Sequence, residues 1–197
     1  YYSHGNGNST DYGLSSQGTK LVFSGNGNQT ITATDGYLYF ENVEFKNPDI
    51  TFKNTEISCY IEEDEIINGD LYISDIDLKG HNLTVNGNLQ LRNKIILNGG
   101  ELYINGDYNA AIPVTNSDGT TGYTGGYLDM GNVNDKVFVS GDFNTSINYK
   151  HGINGYSYLL KGVLDISGDL NDYYSHGNGN STDYGLSSQG TKLVFSG

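Results

Sequence analysis

The chain has 197 residues and a formal net charge of −13, with 28 Gly, 17 Tyr, two Pro and no Trp. So acidic a balance excludes nucleic acid as a partner, because phosphates need Lys and Arg. No stretch approaches a membrane span, and with only three Ala (Ala33, Ala110, Ala111) no long amphipathic helical pattern appears. The runs that remain are rich in Val, Ile, Leu, Tyr, Phe and Thr, which predicts an all-β fold.

Residues 1–25 read "YYSHGNGNSTDYGLSSQGTKLVFSG", and the same 25 letters return at 173–197. The second copy starts 172 residues after the first. The simplest reading is a window on a tandem array. Residues 1–172 are then one full repeat unit, and 173–197 are the start of the next identical one.

Within the unit a shorter motif recurs, apolar-x-apolar-x-Gly-[Asp/Asn]. In chain order it appears as "LVFSGN" (21–26), "IINGD" (66–70), "LTVNGN" (83–88), "LYINGD" (102–107), "VFVSGD" (137–142) and "LDISGD" (164–169). The marker glycines are Gly25, Gly69, Gly87, Gly106, Gly141, Gly168 and Gly197, spaced by 44, 18, 19, 35, 27 and 29 residues. Leu83, Val85, Gly87 and Leu89 share one phase of a period-2 pattern. So do Leu102, Ile104, Gly106 and Tyr108, and Val137, Val139, Gly141 and Phe143. Each set is expected to point inward, with a glycine that lets the strand bend tightly. The following Asp or Asn then points outward.

Spacings of 18 and 19 residues suit one coil of a parallel β-helix, or β-solenoid, and the 44-residue spacing fits two, the first marked by "LYFENVEF" (38–45). About seven coils per repeat follow, each rising about 4.8 Å, so a unit of roughly 33 Å is expected. The longer spacings carry insertions at "PVTNSDGTTGYTGG" (113–126), "SINYKHGINGYS" (146–157) and "NDYYSHGNGNSTDYGLSSQG" (171–190). Gly, Asn, Ser and Tyr dominate them, so they read as loops gathered on one face.

The segments "LKGHNLTVNGNLQLRNKIILNGGELYINGDYN" (78–109), "GGYLDMGNVNDKVFVSGDF" (125–143) and "TKLVFSGNGNQTI" (19–31) resemble tandem-repeat β-solenoid surface proteins of anaerobic Gram-positive bacteria. The resemblance covers most of the repeat. It implies an extracellular, cell-surface-attached solenoid, and little about ligand or activity.

Chemistry-bearing residues are sparse. The acidic run Glu62, Glu63, Asp64, Glu65 is read as a solvated corner rather than the convergent carboxylates of a glycosidase. Arg92 is the one arginine, and no acidic cluster can be placed beside it, which argues against a lyase. His4 and His151 lie in similar loops without a third ligand at metal-site spacing, and His81 reads as a turn residue. Cys59 is expected to be a buried thiol. No enzyme activity and no cofactor are expected.

The outward column Asn26, Asp70, Asn88, Asp107, Asp142 and Asp169 admits two readings. Each side chain could accept backbone N–H bonds at its own corner, or calcium could bridge the column. The first is preferred, since Asn at two of the six positions weakens a cation site. The expected function is a structural repeat of a long fibre or stalk, with copies of the chain as head-to-tail partners through exposed strand edges. The alternative is an adhesin-type binding module. Its loop face (Tyr1, Tyr2, His4, Tyr12, Tyr123, Tyr127, Tyr149, His151 and Tyr156) would contact glycans or neighbouring fibres.

Overall fold

Strict alternation fixes the strands. Leu83–Val85, Glu101–Ile104, Lys136–Val139 and Val163–Ile166 each bury every second residue. In a computed structural model, residues 12–15, 18–32, 37–53, 56–115, 117, 119–147, 158–174 and 190–197 are described. Among them the chain is all β, without a helix, and its two larger sheets are parallel throughout.

The six-stranded sheet runs Glu65–Ile67, Leu83–Val85, Glu101–Ile104, Lys136–Val139, Val163–Ile166, Lys192–Phe195, so spatial order equals chain order. Parallel neighbours need a connection that returns the chain to the same end. Here each connection passes through the larger sheet, by way of Leu71–Asp77, Leu89–Ile96, Tyr108–Asn109, Phe143–Ile147 and Leu170–Tyr174. Strand Leu89–Ile96 holds two partners on one side. Its first residues pair with Tyr108–Asn109, and Lys94–Ile96 pair with Tyr127–Asp129. The insertion at 113–126 falls between those two partners.

Register turns the alternation into columns. Leu83, Leu102, Val137 and Leu164 lie side by side and fully buried, as do Leu71, Leu89, Tyr108 and Phe143. Because neighbours sit about 4.8 Å apart, aromatic residues in one column meet face to face. Tyr108 stacks on Phe143 at 4.4 Å and 11°, and the outward Tyr103 on Phe138 at 4.9 Å and 7°.

Of the marker glycines, Gly69, Gly87, Gly106, Gly141 and Gly168 form a column, though not for the reason the sequence suggests, and Gly25 stands outside it against Gln29. None of Gly87, Gly106, Gly141 and Gly168 has a positive φ, so no special bend needs them. They touch one another. The N–H of Gly106 donates to Gly87 O at 3.1 Å, that of Gly141 to Gly106 O at 3.0 Å, and that of Gly168 to Gly141 O at 3.0 Å. A Cβ at Gly141 would lie 2.8 Å from the Gly106 backbone. Close approach, not flexibility, requires glycine here.

The insertion at 113–126 is not a plain loop. Ile112–Thr115 and Thr121–Thr124 form an antiparallel hairpin outside the parallel sheets. Gly125 and Gly126 return the chain against the backbone of Ala110 and Asn93, too close for any side chain. Removing residues 113–124 and joining Ile112 to Gly125 should therefore leave the fold intact. The expected loss is about 1 kcal/mol, mostly the Tyr123–Tyr173 contact, read from urea denaturation. Loss of cooperative unfolding would make the hairpin part of the core.

The repeated segment is seen in both of its settings. Lys20–Val22 pairs in parallel with Asn42–Glu44, while the identical Lys192–Leu193–Val194 pairs in parallel with Val163–Asp165.

Candidate functional site

The turn after each marker glycine sets an Asp or Asn at the edge of its tier. Five of the six form one continuous chain of bonds. Asp70 Oδ1 accepts the N–H of Asn88 (2.7 Å), Asn88 Oδ1 that of Asp107 (2.9 Å), Asp107 Oδ1 that of Asp142 (2.9 Å) and Asp142 Oδ1 that of Asp169 (2.9 Å). The sequence predicts these bonds within each residue's own corner. They run instead to the next residue of the column, whose N–H lies 2.7–2.9 Å away across the tier boundary. Asn26 belongs to a differently built tier, where Gln29 Oε1 accepts from Gly25 N–H at 3.3 Å and from Asn47 Nδ2 at 2.8 Å.

A second ladder lies two residues before, and the sequence reading missed it. Asn68 Nδ2 donates to Asp49 Oδ1 (2.8 Å), Asn86 Nδ2 to Asn68 Oδ1 (2.8 Å) and Asn105 Nδ2 to Asn86 Oδ1 (2.7 Å). Its signal was the Asn before Gly in "INGD", "VNGN" and "INGD". A third ladder joins Asn109, Asn144 and Asn171 at 2.8 and 2.9 Å. An amide both donates and accepts, so it continues such a column where a carboxylate can only end it.

This geometry predicts the response of the column to substitution. Asp142→Asn keeps the Oδ1 acceptor and removes a negative charge between Asp107 and Asp169, so stability should be unchanged or slightly raised. Asp142→Ala leaves the exposed Asp169 N–H to water and should cost about 0.5–1.5 kcal/mol. Thermal unfolding with and without a chelator checks the calcium alternative, with no shift of Tm expected. Among the described residues no three His, Cys, Asp or Glu gather as a metal site.

The acidic run needs a correction. Glu62, Glu63 and Asp64 are exposed, but Glu65 is only 4% exposed. It opens the strand Glu65–Ile67 on the inward phase, in register with the buried Leu83. Its Oε2 accepts the Phe45 N–H at 2.9 Å, while Oε1 is buried without a hydrogen-bond partner. Burial pushes the Glu65 carboxyl up to about 7; the Phe45 N–H opposes this, and Glu63 and Glu44 add to it. On the outer side Lys20 bridges Glu44 at 2.8 Å and Glu63 at 2.7 Å.

Cys59 is buried, and its thiol is pushed up by desolvation, so it is inert as a nucleophile. His81 N–H closes a turn onto Leu78 O at 2.8 Å, and its Nδ1 lies 3.8 Å from Asp64 Oδ1.

Of the loop-face residues, Tyr1, Tyr2, His4, Tyr149, His151 and Tyr156 lie outside the described residues, and Tyr12 opens the strand Tyr12–Ser15. Tyr123 and Tyr127 are half-buried. The Tyr123 ring leans on Tyr173 at 4.8 Å and 31°, which joins the hairpin to the strand Leu170–Tyr174. Tyr173 is the repeat-equivalent of Tyr1.

No family model, curated protein or solved structure matches the chain.

Proposed function

We propose that the chain is one β-solenoid repeat, of about seven coils, in a long extracellular fibre or stalk, with units stacked head to tail on a bacterial surface. One observation carries this reading. The segment Lys-Leu-Val-Phe pairs with the tier after it in one copy and with the tier before it in the other. A single strand with both neighbours joins repeat to repeat without a linker. The interlocking side-chain ladders support a structural role, since each tier supplies acceptors for the next. The high negative charge would keep such rods apart in solution.

Electron microscopy of a chain of three covalent repeats tests the proposal. A stiff rod growing by roughly 33 Å per repeat is expected. Beads on a flexible string would overturn it.

A second reading, an adhesin face, is favoured by the Tyr123–Tyr173 pair on the insertion side. Paired tyrosines offer flat contact area for sugars or proteins. A glycan array probed with the chain and with its 113–124 deletion separates the two: specific binding lost on deletion supports the adhesin.

A further inference from the structure

An Asn followed by Gly is open to attack from its own backbone. The glycine nitrogen has no Cβ beside it, so it can reach the Asn Cγ and expel the amide. The pair occurs eight times in the sequence, and five copies lie among the described residues: Asn26–Gly27, Asn68–Gly69, Asn86–Gly87, Asn98–Gly99 and Asn105–Gly106. All five asparagines are exposed, so water reaches each. Their hydrogen bonds differ. The Asn68 amide donates to Asp49, that of Asn86 to Asn68, that of Asn105 to Asn86, and that of Asn98 to Asp77 Oδ1 at 2.8 Å. In two of these pairs the glycine nitrogen is held as well, Gly106 N–H on Gly87 O at 3.1 Å and Gly99 N–H on Asp135 Oδ1 at 2.6 Å. At Asn26–Gly27 neither the side-chain amide nor the glycine N–H has a partner among the described residues. In the regular tiers the N–H two residues after the marker glycine donates to the tier that follows, as Leu89 does to Asp107 O at 2.9 Å. Gly27 stands at that place after Gly25, yet the tier that follows reaches only its carbonyl, through Asn47 Nδ2 at 2.9 Å. Gly27 has a φ of +97° and open space where a side chain would be.

We propose that Asn26–Gly27 is a site of spontaneous deamidation, and that the bonds between tiers shield the other four pairs from the same reaction. The Gly27 nitrogen bonds to Asn26 Cγ. The Cγ–Nδ2 bond breaks, and the amide leaves as ammonia, taking the glycine N–H proton and closing a succinimide. Water then opens the ring at either carbonyl, giving an aspartyl or an isoaspartyl residue at position 26. One water enters and one ammonia leaves, with no oxidant or reductant. Where a neighbouring tier holds the side-chain amide, that bond must break before Cγ can turn toward the nitrogen, so the reaction waits on local opening. At Asn26 no bond has to break. The product carries one more negative charge, at a marker position that holds Asp in four of the other five tiers. None of this depends on the fibre, since the pair and its neighbours all lie within one chain.

Incubation of the 197-residue chain in mildly alkaline buffer, once native and once in concentrated urea, tests the assignment. Peptide mapping by mass spectrometry reads the replacement of amide by acid at each asparagine, and circular dichroism checks that the two samples are folded and unfolded. In the native chain Asn26 should convert at least about tenfold faster than Asn68, Asn86, Asn98 or Asn105. In urea the bonds between tiers are gone. The four shielded sites should then accelerate, and the lead of Asn26 should shrink to less than about threefold. Equal rates at all five sites in the native chain overturn the proposal, as does an Asn26 that stays intact. A lead of the same size in urea also overturns it, because the local sequence rather than the tier bonds would then set the rate.

Discussion

Gly141→Ala should lower the free energy of unfolding by about 3 kcal/mol or more. The new methyl group would lie 2.8 Å from the Gly106 backbone, and the Asp107 carboxylate is nearer still. Neither neighbour can yield cheaply. The Gly106 carbonyl holds the Gly141 N–H at 3.0 Å, and Asp107 Oδ1 holds the Asp142 N–H at 2.9 Å. Relief requires the two tiers to part, which breaks several bonds at once. Gly131→Ala is the matched control. Its added carbon would meet nothing nearer than Asp129 Oδ1 at 3.7 Å, and its φ is not in the left-handed region. That variant should stay within about 0.5 kcal/mol of the wild type, or gain slightly from the stiffer unfolded chain. Urea denaturation of both proteins provides the measurement. Equal effects at the two sites would show that tier contact is not what glycine serves.

The second large effect concerns Glu65. Its carboxyl is raised from the ordinary 4.5 to about 7 by burial. The folded state therefore binds a proton more tightly than the unfolded state. That stabilisation is complete below about pH 4.5, declines as pH rises, and is gone above about pH 7. The span corresponds to about 3 kcal/mol. Glu65→Gln keeps an oxygen for the Phe45 N–H and carries no charge. It should be about 2–3 kcal/mol more stable than wild type at pH 8 and nearly equal at pH 4.5. Glu65→Leu matches the apolar column but strands the Phe45 N–H, so it should gain less. Denaturant titrations from pH 4.5 to 8 decide the matter. A wild type whose stability is flat between pH 5 and 7 would mean that Glu65 stays charged through a contact with water.

Much of this was readable in advance, for a local reason. Period-2 alternation is a property of neighbouring residues, so Leu83, Val85, Leu102, Ile104, Val137 and Val139 could be placed inside without knowing what faced them. All six are buried. The glycine column was visible as a spacing, but its cause was not, because the atom opposite Gly141 belongs to Gly106, 35 residues away. The Asp and Asn column was legible as a column, yet its bonds cross between tiers, which a single turn cannot reveal. Glu65 shares the phase of Ile67 and so betrays its inward position, but three charged neighbours made a solvated corner the natural reading. The hairpin was hidden by composition. Gly and Thr between residues 113 and 126 suggest a loop, although Val114, Thr115 and Thr121 flank a turn-forming "NSDG".

The tier-to-tier ladders have a mechanical consequence. Their bonds lie along the direction of stacking, so tension between the ends of the stack is carried by the tiers in series, and each feels the whole load. In the proposed fibre such a stack would yield by peeling at its weakest boundary, and its breaking force would not grow with the number of repeats. What would grow is the reserve of length. Releasing the 35 residues between Gly106 and Gly141 frees about 120 Å of extended chain, against a loss of about 4.8 Å of stack. A tether built this way would give way in long steps before it parted.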